Sequence, residues 1–326
     1  MIRLDIRATC GYYSSNHIKC LLRLEPELRN LGIEFVTHNG DIQLIQCVSD
    51  VAHLVDRNIP TILQDIYLGP EIYWHGLREF MLRDNVKAVL KTSKFVDPAM
   101  YDMRFQDDMK HVAVLARNEQ VRAYDTNISH VYHKVHVFAN LIAWDHFQHS
   151  WQPPDLDARR DIDVNIMLGN IDEHAYPVEE TRSHRWAALY EVKKLFLKHP
   201  HLKVYLRTPQ DKYLNGGEYH QVMQNSKVCL SPWGYDITCW RDYECALCGV
   251  LVIRPHMPWA TTWPELPIIT CEPDLSNFED VVMAVLSNFS GYRTQRLTAY
   301  NTASLGMDNK VLAKRLADII KLSLDS

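Results

Sequence analysis

The sequence predicts an α/β protein built from two doubly wound, Rossmann-like parallel-sheet domains that face one another across a cleft. Three observations carry this. The chain has 326 residues, roughly two domains at about 150 residues each. Short apolar runs alternate with longer amphipathic ones along its whole length, the βαβ rhythm of a parallel sheet. That rhythm stops once, at Trp151-Gln152-Pro153-Pro154-Asp155, where adjacent prolines and lost periodicity mark a linker. The expected domains are therefore 1–155 and 156–326.

In the first domain the runs 2–7, 33–37, 42–47 and 61–64 predict strands, with amphipathic helices over 16–31 and 48–57 between them. A helix over 72–83, a strand over 87–91, a short helix near 98–104 and a strand over 111–115 continue the pattern. The second domain restarts with a strand over 164–168, a helix over 181–198, a strand over 203–207 and a helix over 218–225. Strands over 228–231, 250–254 and 268–271, and helices over 238–247, 277–287 and 309–324, complete it. Sheets of this kind place ligands at the carboxyl ends of their strands.

Composition narrows the function classes. Hydrophobic residues make up 47% and charged residues 23%, which is ordinary globular usage. Forty acidic against 35 basic residues leave a net charge of −5, with no electrostatic footprint for nucleic acid. The opening MIRLDIRATC lacks a basic n-region and a continuous apolar h-region, and the longest uncharged apolar run, 245–253, is too short to span a bilayer. A cytoplasmic protein with no transmembrane segment is expected. Its eight cysteines then remain thiols, and the sequons at Asn127 and Asn288 carry no meaning.

The chemistry concentrates in residues 226–255, SKVCLSPWGYDITCWRDYECALCGVLVIRP. A buried strand ends in Ser231-Pro232-Trp233-Gly234, and a loop leads to a helix that starts near Thr238, whose side chain is suited to cap it. Arg241 falls in the first turn, where a cation opposes the helix dipole at a cost of a few tenths to about 1 kcal/mol. An anion held between them resolves the mismatch, and a diphosphate matches both the free backbone N–H groups and the guanidinium fork. The alternative is that Arg241 pairs with Asp242 or Glu244. Glu244, one turn on, offers acceptors to paired ribose hydroxyls or is a solvated acid. Gly249 stops the helix before an all-apolar strand.

An apolar strand, Ser-Pro-x-Gly, a loop, Arg-Asp-x-Glu-x-x-x-x-Gly and a Val-x-Ile strand together resemble the donor-binding segment of GT-B glycosyltransferases, in particular exostosin-like and related group-1 enzymes. The resemblance implies that this segment, Gly234, Tyr235, Asp236, Arg241 and Glu244 included, binds a nucleotide-sugar donor, the arginine meeting the diphosphate and the glutamate the nucleotide sugar. The two-glutamate spacing of many retaining members is absent, since positions 236 and 237 are Asp and Ile. Gly169, which ends the first strand of the second domain, Arg185 in the helix after it and Arg207 at the end of the next strand are further donor-side candidates.

Other motifs read as structural. Cys245-x-x-Cys248 has no second pair at zinc-ribbon spacing and lies inside a helix, so it reads as packed thiols. His130, His133 and His136, which a strand over 131–138 would scatter, read as a polar segment near the hinge. Asp155-x-Asp157 and Asp161-x-Asp163 match the metal-binding D-x-D of the other major glycosyltransferase fold, but they precede a strand instead of following one. They read as solvated acids, which leaves catalysis with no metal and no cofactor beyond the donor itself.

The expected activity is transfer of a sugar from a nucleotide sugar to a glycan or other hydroxyl acceptor held by the first domain. A nucleotide-sugar epimerase of the same fold and a non-catalytic sugar- or nucleotide-binding module are the alternatives. An inverting transferase needs a base within reach of the acceptor hydroxyl. His17, in the loop after the first strand, and Asp65, after the strand 61–64, are the candidates, with Asp41 a third. A helix N-terminus lowers a histidine's pKa toward the proton-accepting form, and an apolar wall raises an aspartate's.

Overall fold

A computed structural model describes residues 1–8, 19–47, 55–65, 72, 75–105, 121–123, 125–139, 153–168, 179–208, 211–212, 214–232 and 239–325. The first sheet comprises β1 (Ile2–Ala8), β2 (Ile33–Val36), β3 (Ile42–Cys47), β4 (Thr61–Asp65), β5 (Val86–Lys91) and β9 (Val135–Val137), in the order β2-β1-β3-β4-β5-β9. Every pairing in it is parallel. β4 is buried along its whole length, as a central parallel strand covered on both faces must be. Helices α1 (Glu25–Asn30) and α2 (His75–Met81) belong to this half.

The second sheet is built from β10 (Ile162–Met167), β11 (Val204–Arg207), β12 (Ser226–Leu230), β13 (Leu251–Pro255) and β15 (Ile269–Cys271). Its order is β11-β10-β12-β13-β15, again all parallel. The helices that follow its strands are α3 (Glu179–Lys198), α4 (Gly216–Gln224), α5 (Trp240–Leu247) and α6 (Phe278–Ser287). Val164, Ile166, Val228 and Leu230 of the sheet share one core with Leu189, Val192 and Leu195 of α3 and Phe278, Val282 and Val285 of α6.

The two sheets have the same winding. Each strand order reverses once, between β1 and β3 in the first and between β10 and β12 in the second. Such a reversal sends the two outgoing loops apart and opens a crevice at the carboxyl ends, the usual ligand position in this class of sheet.

Two helices close the chain. α7 (Arg293–Gly306) docks beside α5 with a face of small residues, Ala299, Ala303 and Gly306. A Cβ on Gly306 would lie 2.3 Å from Pro264 Cγ, so the glycine permits the approach. α8 (Asn309–Asp325) follows the second sheet in sequence yet packs on the first: Leu312, Leu316 and Ile320 join Leu4, Leu28, Ile42 and Phe138 in one core. Arg315 of α8 donates to the Val137 carbonyl at 2.9 and 2.6 Å. An antiparallel pair of β6 (Ser93–Phe95) and β14 (Ala260–Thr262) forms a second tie between the halves, and β7 (Met103–Phe105) pairs antiparallel with β8 (Val121–Ala123) within the first.

Several local expectations are corrected. The helix expected over 16–31 is interrupted: residues 19–22 are helical, the chain turns at Arg23 and Leu24, and α1 begins at Glu25 with Pro26 in its first turn, because proline lacks the N–H that an uninterrupted helix needs. The stretch 131–138 is a 3-10 turn, Ser129–Lys134, followed by β9. No helix was expected at α7, whose buried face of alanines and glycine gives little hydrophobic periodicity. The strand expected over 111–115 and most of the helix over 48–57 lie outside the described residues.

Candidate functional site

The strand order of the second sheet reverses between β10 and β12, whose carboxyl ends are the expected ligand position; the loops leaving both strands lie outside the described residues, and α3 and α5 follow them in sequence. Thr238, expected to cap α5, lies outside the described residues, and the residue at the cap position is Cys239. The first turn of α5 is fastened by Asp242, whose carboxylate accepts the Cys239 N–H at 3.1 Å. Burial raises the Cys239 thiol pKa, and Arg241 and, less, Arg185 oppose that rise. Arg185 itself is buried.

Arg241 is the second residue of α5, and its side chain makes no hydrogen bond or ion pair with any described residue; its Nε is buried without a partner. The carboxylates that might have paired with it are engaged. Asp242 is fully buried and accepts Arg254 Nη1 of β13 at 3.2 Å, while Glu244 accepts the Tyr219 hydroxyl of α4. Burial works against the Arg241 charge, but Cys239, Tyr219, Cys229 and Glu244 around it raise its pKa above the ordinary arginine value. It is a fixed cation. The Tyr219 phenol is pushed well up, by burial first and by the Glu244 charge second. Ser231, at the end of β12, is buried with its Oγ unpartnered.

The far end of α5 is held as firmly. Arg160 donates to the Ser226 carbonyl at 2.7 Å and the Cys248 carbonyl at 2.8 Å, and Arg296 donates to the Gly249 carbonyl at 2.7 Å. Two buried guanidiniums thus satisfy carbonyls at the helix C-terminus, where the dipole favours cations. Gly249 takes φ +63° and ends the helix as expected. Cys245 and Cys248 are buried thiols, Cys245 Sγ resting 3.8 Å from Met223 Sδ.

Arg207 spans the carboxyl ends of β10 and β11: its Nη1 donates to the Leu168 carbonyl at 3.2 Å and its Nε to the Lys212 carbonyl at 3.3 Å. Three of the D-x-D acids are ion-paired: Asp157 with Arg293 at 2.9 Å and Asp161 with Arg159 at 2.9 Å on the surface, and the half-buried Asp163 with Lys227 at 2.6 Å. Gly169, Gly234, Tyr235 and Asp236 lie outside the described residues, as does His17.

In the first domain, Asp65 ends β4 and is 2% exposed. The wall beside it is not apolar, as expected, but carries Lys91, whose Nζ lies 2.6 Å from Asp65 Oδ2. Gln46 and Gln64, hydrogen-bonded to each other at 3.0 Å, are buried at the ends of β3 and β4. Asp41 precedes β3 and pairs with Arg3 at 2.8 Å, at the amino end of the strand and so across the sheet from the crevice. Sequence reasoning missed Lys91, Arg254 and Tyr219. The signal for Lys91 was present: a lysine closing the otherwise apolar VKAVLK of a buried strand demands a partner.

No family model and no curated protein sequence matches the chain. Among solved structures it is similar to a glycosyltransferase from Rickettsia africae ESF-5, at 12% identity and TM-score 0.53, over 100% of this chain and 99% of that one. HepE from Anabaena in complex with UDP-glucose aligns at 10% identity and TM-score 0.46, covering 98% of this chain and 100% of that one. An α-glucosyltransferase in complex with UDP aligns at 12% identity and TM-score 0.47 over the same shares. With its two parallel sheets of six and five strands, the chain has the GT-B fold of two Rossmann-like domains.

Proposed function

We propose that the chain is a glycosyltransferase that moves a sugar from a nucleotide sugar, held at the crevice of the second sheet, to a hydroxyl of a glycan acceptor held by the first domain. The observation that carries the reading is Arg241, a permanent cation at a helix N-terminus, with a buried Nε that no described residue satisfies. Buried donors are almost always paired, and a diphosphate supplies oxygens to the guanidinium and the free helical N–H groups together. The fold, shared with a structure described as a glycosyltransferase, agrees with it.

In this reading the acceptor oxygen attacks the sugar carbon in line with the departing diphosphate. Negative charge grows on the leaving oxygens, and Arg241, Arg185 and the start of α5 stabilise it where a metal ion serves in other enzymes. Glu244, oriented by Tyr219, takes the ribose hydroxyls. His17 or Asp65 removes the acceptor proton. The exostosin-like character of the segment remains part of the proposal.

Incubation with UDP-, GDP-, CMP- and dTDP-sugars in EDTA tests it. Slow hydrolysis of one donor, lost in Arg241→Ala, supports transfer. An isomeric sugar nucleotide identifies an epimerase, saturable binding without turnover a binding module, and activity restored only by manganese a metal-dependent enzyme.

A further inference from the structure

α3 covers the second sheet with one face, through Ala188, Leu189, Val192 and Leu195, all buried. Its opposite face is also apolar and is covered by nothing among the described residues. Trp186, Tyr190 and Leu197 are 41, 66 and 78% exposed, and with Lys193 they fall at spacings of four, three and four residues, a single stripe along the helix. Phe196 beside it is 48% exposed. Four of the twelve exposed large apolar side chains among the described residues therefore sit on this one helix. Single exposed apolar residues need no explanation, but a contiguous patch rimmed by charge marks a contact surface.

The rim identifies the contact. The stripe runs into Lys193-Lys194-Leu195-Phe196-Leu197-Lys198-His199-Pro200-His201-Leu202-Lys203, which holds four lysines, two histidines and no acid in a chain of net charge −5. Three neighbouring acids do approach: Glu191 lies 2.9 Å from Lys194, Glu279 lies 2.6 Å from Lys198 and 3.0 Å from His199, and Asp161 lies 3.9 Å from Lys203. The two glutamates are the more sheltered partners, at 20 and 27% exposed against 43 and 53% for Lys194 and Lys198. Lys193 pairs with no described carboxylate. The outermost charge of the face is positive.

We propose that this face of α3 rests on an anionic lipid surface, with Trp186, Tyr190, Phe196 and Leu197 entering the headgroup boundary and the lysines lying among lipid phosphates. Tryptophan and tyrosine suit that depth because their rings are apolar and their tips polar, and lysine stems reach along apolar surface while the ammonium stays wet. A helix lying in the plane needs both an apolar face and basic flanks. A second copy of the chain fits poorly, since a symmetric contact through this helix would set Lys193 and its neighbours against their own mates. The inference stands apart from the proposed sugar transfer.

Cosedimentation of the full chain with vesicles tests it. The protein is expected to partition onto phosphatidylcholine vesicles carrying one part in three phosphatidylglycerol, and far less onto pure phosphatidylcholine or in high salt. Tyr190→Ser with Leu197→Ser should lower the partition coefficient by about tenfold or more and leave thermal unfolding unchanged, because both side chains are exposed. Absence of vesicle binding by the parent protein, or equal binding by the double variant, overturns the proposal. So does a concentration-dependent dimer in sedimentation velocity that the double variant abolishes, which would make the face a self-interface.

Discussion

Arg254 of β13 donates from Nη1 to Asp242 Oδ2 at 3.2 Å, which occupies the acid next to Arg241 in sequence. The same oxygen accepts the Cys239 N–H at 3.1 Å, so one buried carboxylate both starts α5 and neutralises the next strand's arginine. With Glu244 turned to Tyr219, no acid among the described residues forms an ion pair with Arg241. A cation is thereby held in a first turn that disfavours it.

Arg241→Ala should weaken donor binding by about 10- to 100-fold, the equivalent of a charge-assisted hydrogen bond. Stability should change little, since the folded protein loses no partner. Arg241→Lys should recover little affinity, because a point charge does not reproduce a fork. Titration calorimetry beside thermal unfolding checks all three, and unchanged affinity in the alanine variant would remove the clamp.

Asp242→Asn acts in the opposite way. It strips the charge from the fully buried Asp242 and leaves Arg254, 17% exposed at its side chain, without this counterion, at an expected cost of about 3 kcal/mol. Urea unfolding reads the loss. Adding Arg254→Met should recover most of it, and a double variant as unstable as the single would mean that Asp242 matters only as the start of α5.

Gly249→Ala should destabilise by about 1–3 kcal/mol. The backbone there holds φ +63°, and a Cβ would lie 2.5 Å from Leu156 Cδ2 and 3.2 Å from Arg160 Nη2. Because Arg160 anchors the end of α5 from the linker side, the same substitution should weaken donor binding as well. Parent stability in this variant would show that the linker yields freely.

The sheets were legible because buried parallel strands are continuous apolar runs, and Gly249 because a helix followed by such a run needs a left-handed stop. α7 was not, since its docking face is Ala299, Ala303 and Gly306, where fit replaces hydrophobic contrast. Nor does periodicity in α8 say which sheet its apolar face will cover. At the site, local spacing singled out Arg241 and Glu244. The groups that engage Asp242 and Glu244, namely Arg254 and Tyr219, come from another strand and another helix, so only the folded chain shows that both acids are occupied while Arg241 Nε has no partner.

His136 predicts a pH dependence. Burial, then Lys94 and Arg315, push its pKa down from 6.5 to about 4. Between those values the unfolded chain binds a proton that the folded chain refuses, so stability is full above pH 6.5 and falls toward pH 4. The whole effect is at most about 3 kcal/mol. His136→Gln should flatten this limb in urea titrations run across that range, and an unchanged slope would assign it to other groups.

Asp65 and Lys91 pose the sharpest test of the acceptor side. A buried pair at the mouth of the first sheet is either a structural tie or a base held ready by its neighbour, and single substitutions do not separate the two. Asp65→Asn leaves a buried ammonium without its carboxylate, with an expected loss of about 3–5 kcal/mol, and activity lost by unfolding would imitate activity lost by chemistry. The double variant Asp65→Asn, Lys91→Met removes both charges and should recover most of the stability. If Asp65 is the base, turnover in the double variant stays about 10²–10⁴-fold down while donor affinity is intact. Recovery of kcat along with stability would make the pair structural and move the base to His17, for which His17→Ala must then show the same loss of kcat with unchanged donor binding.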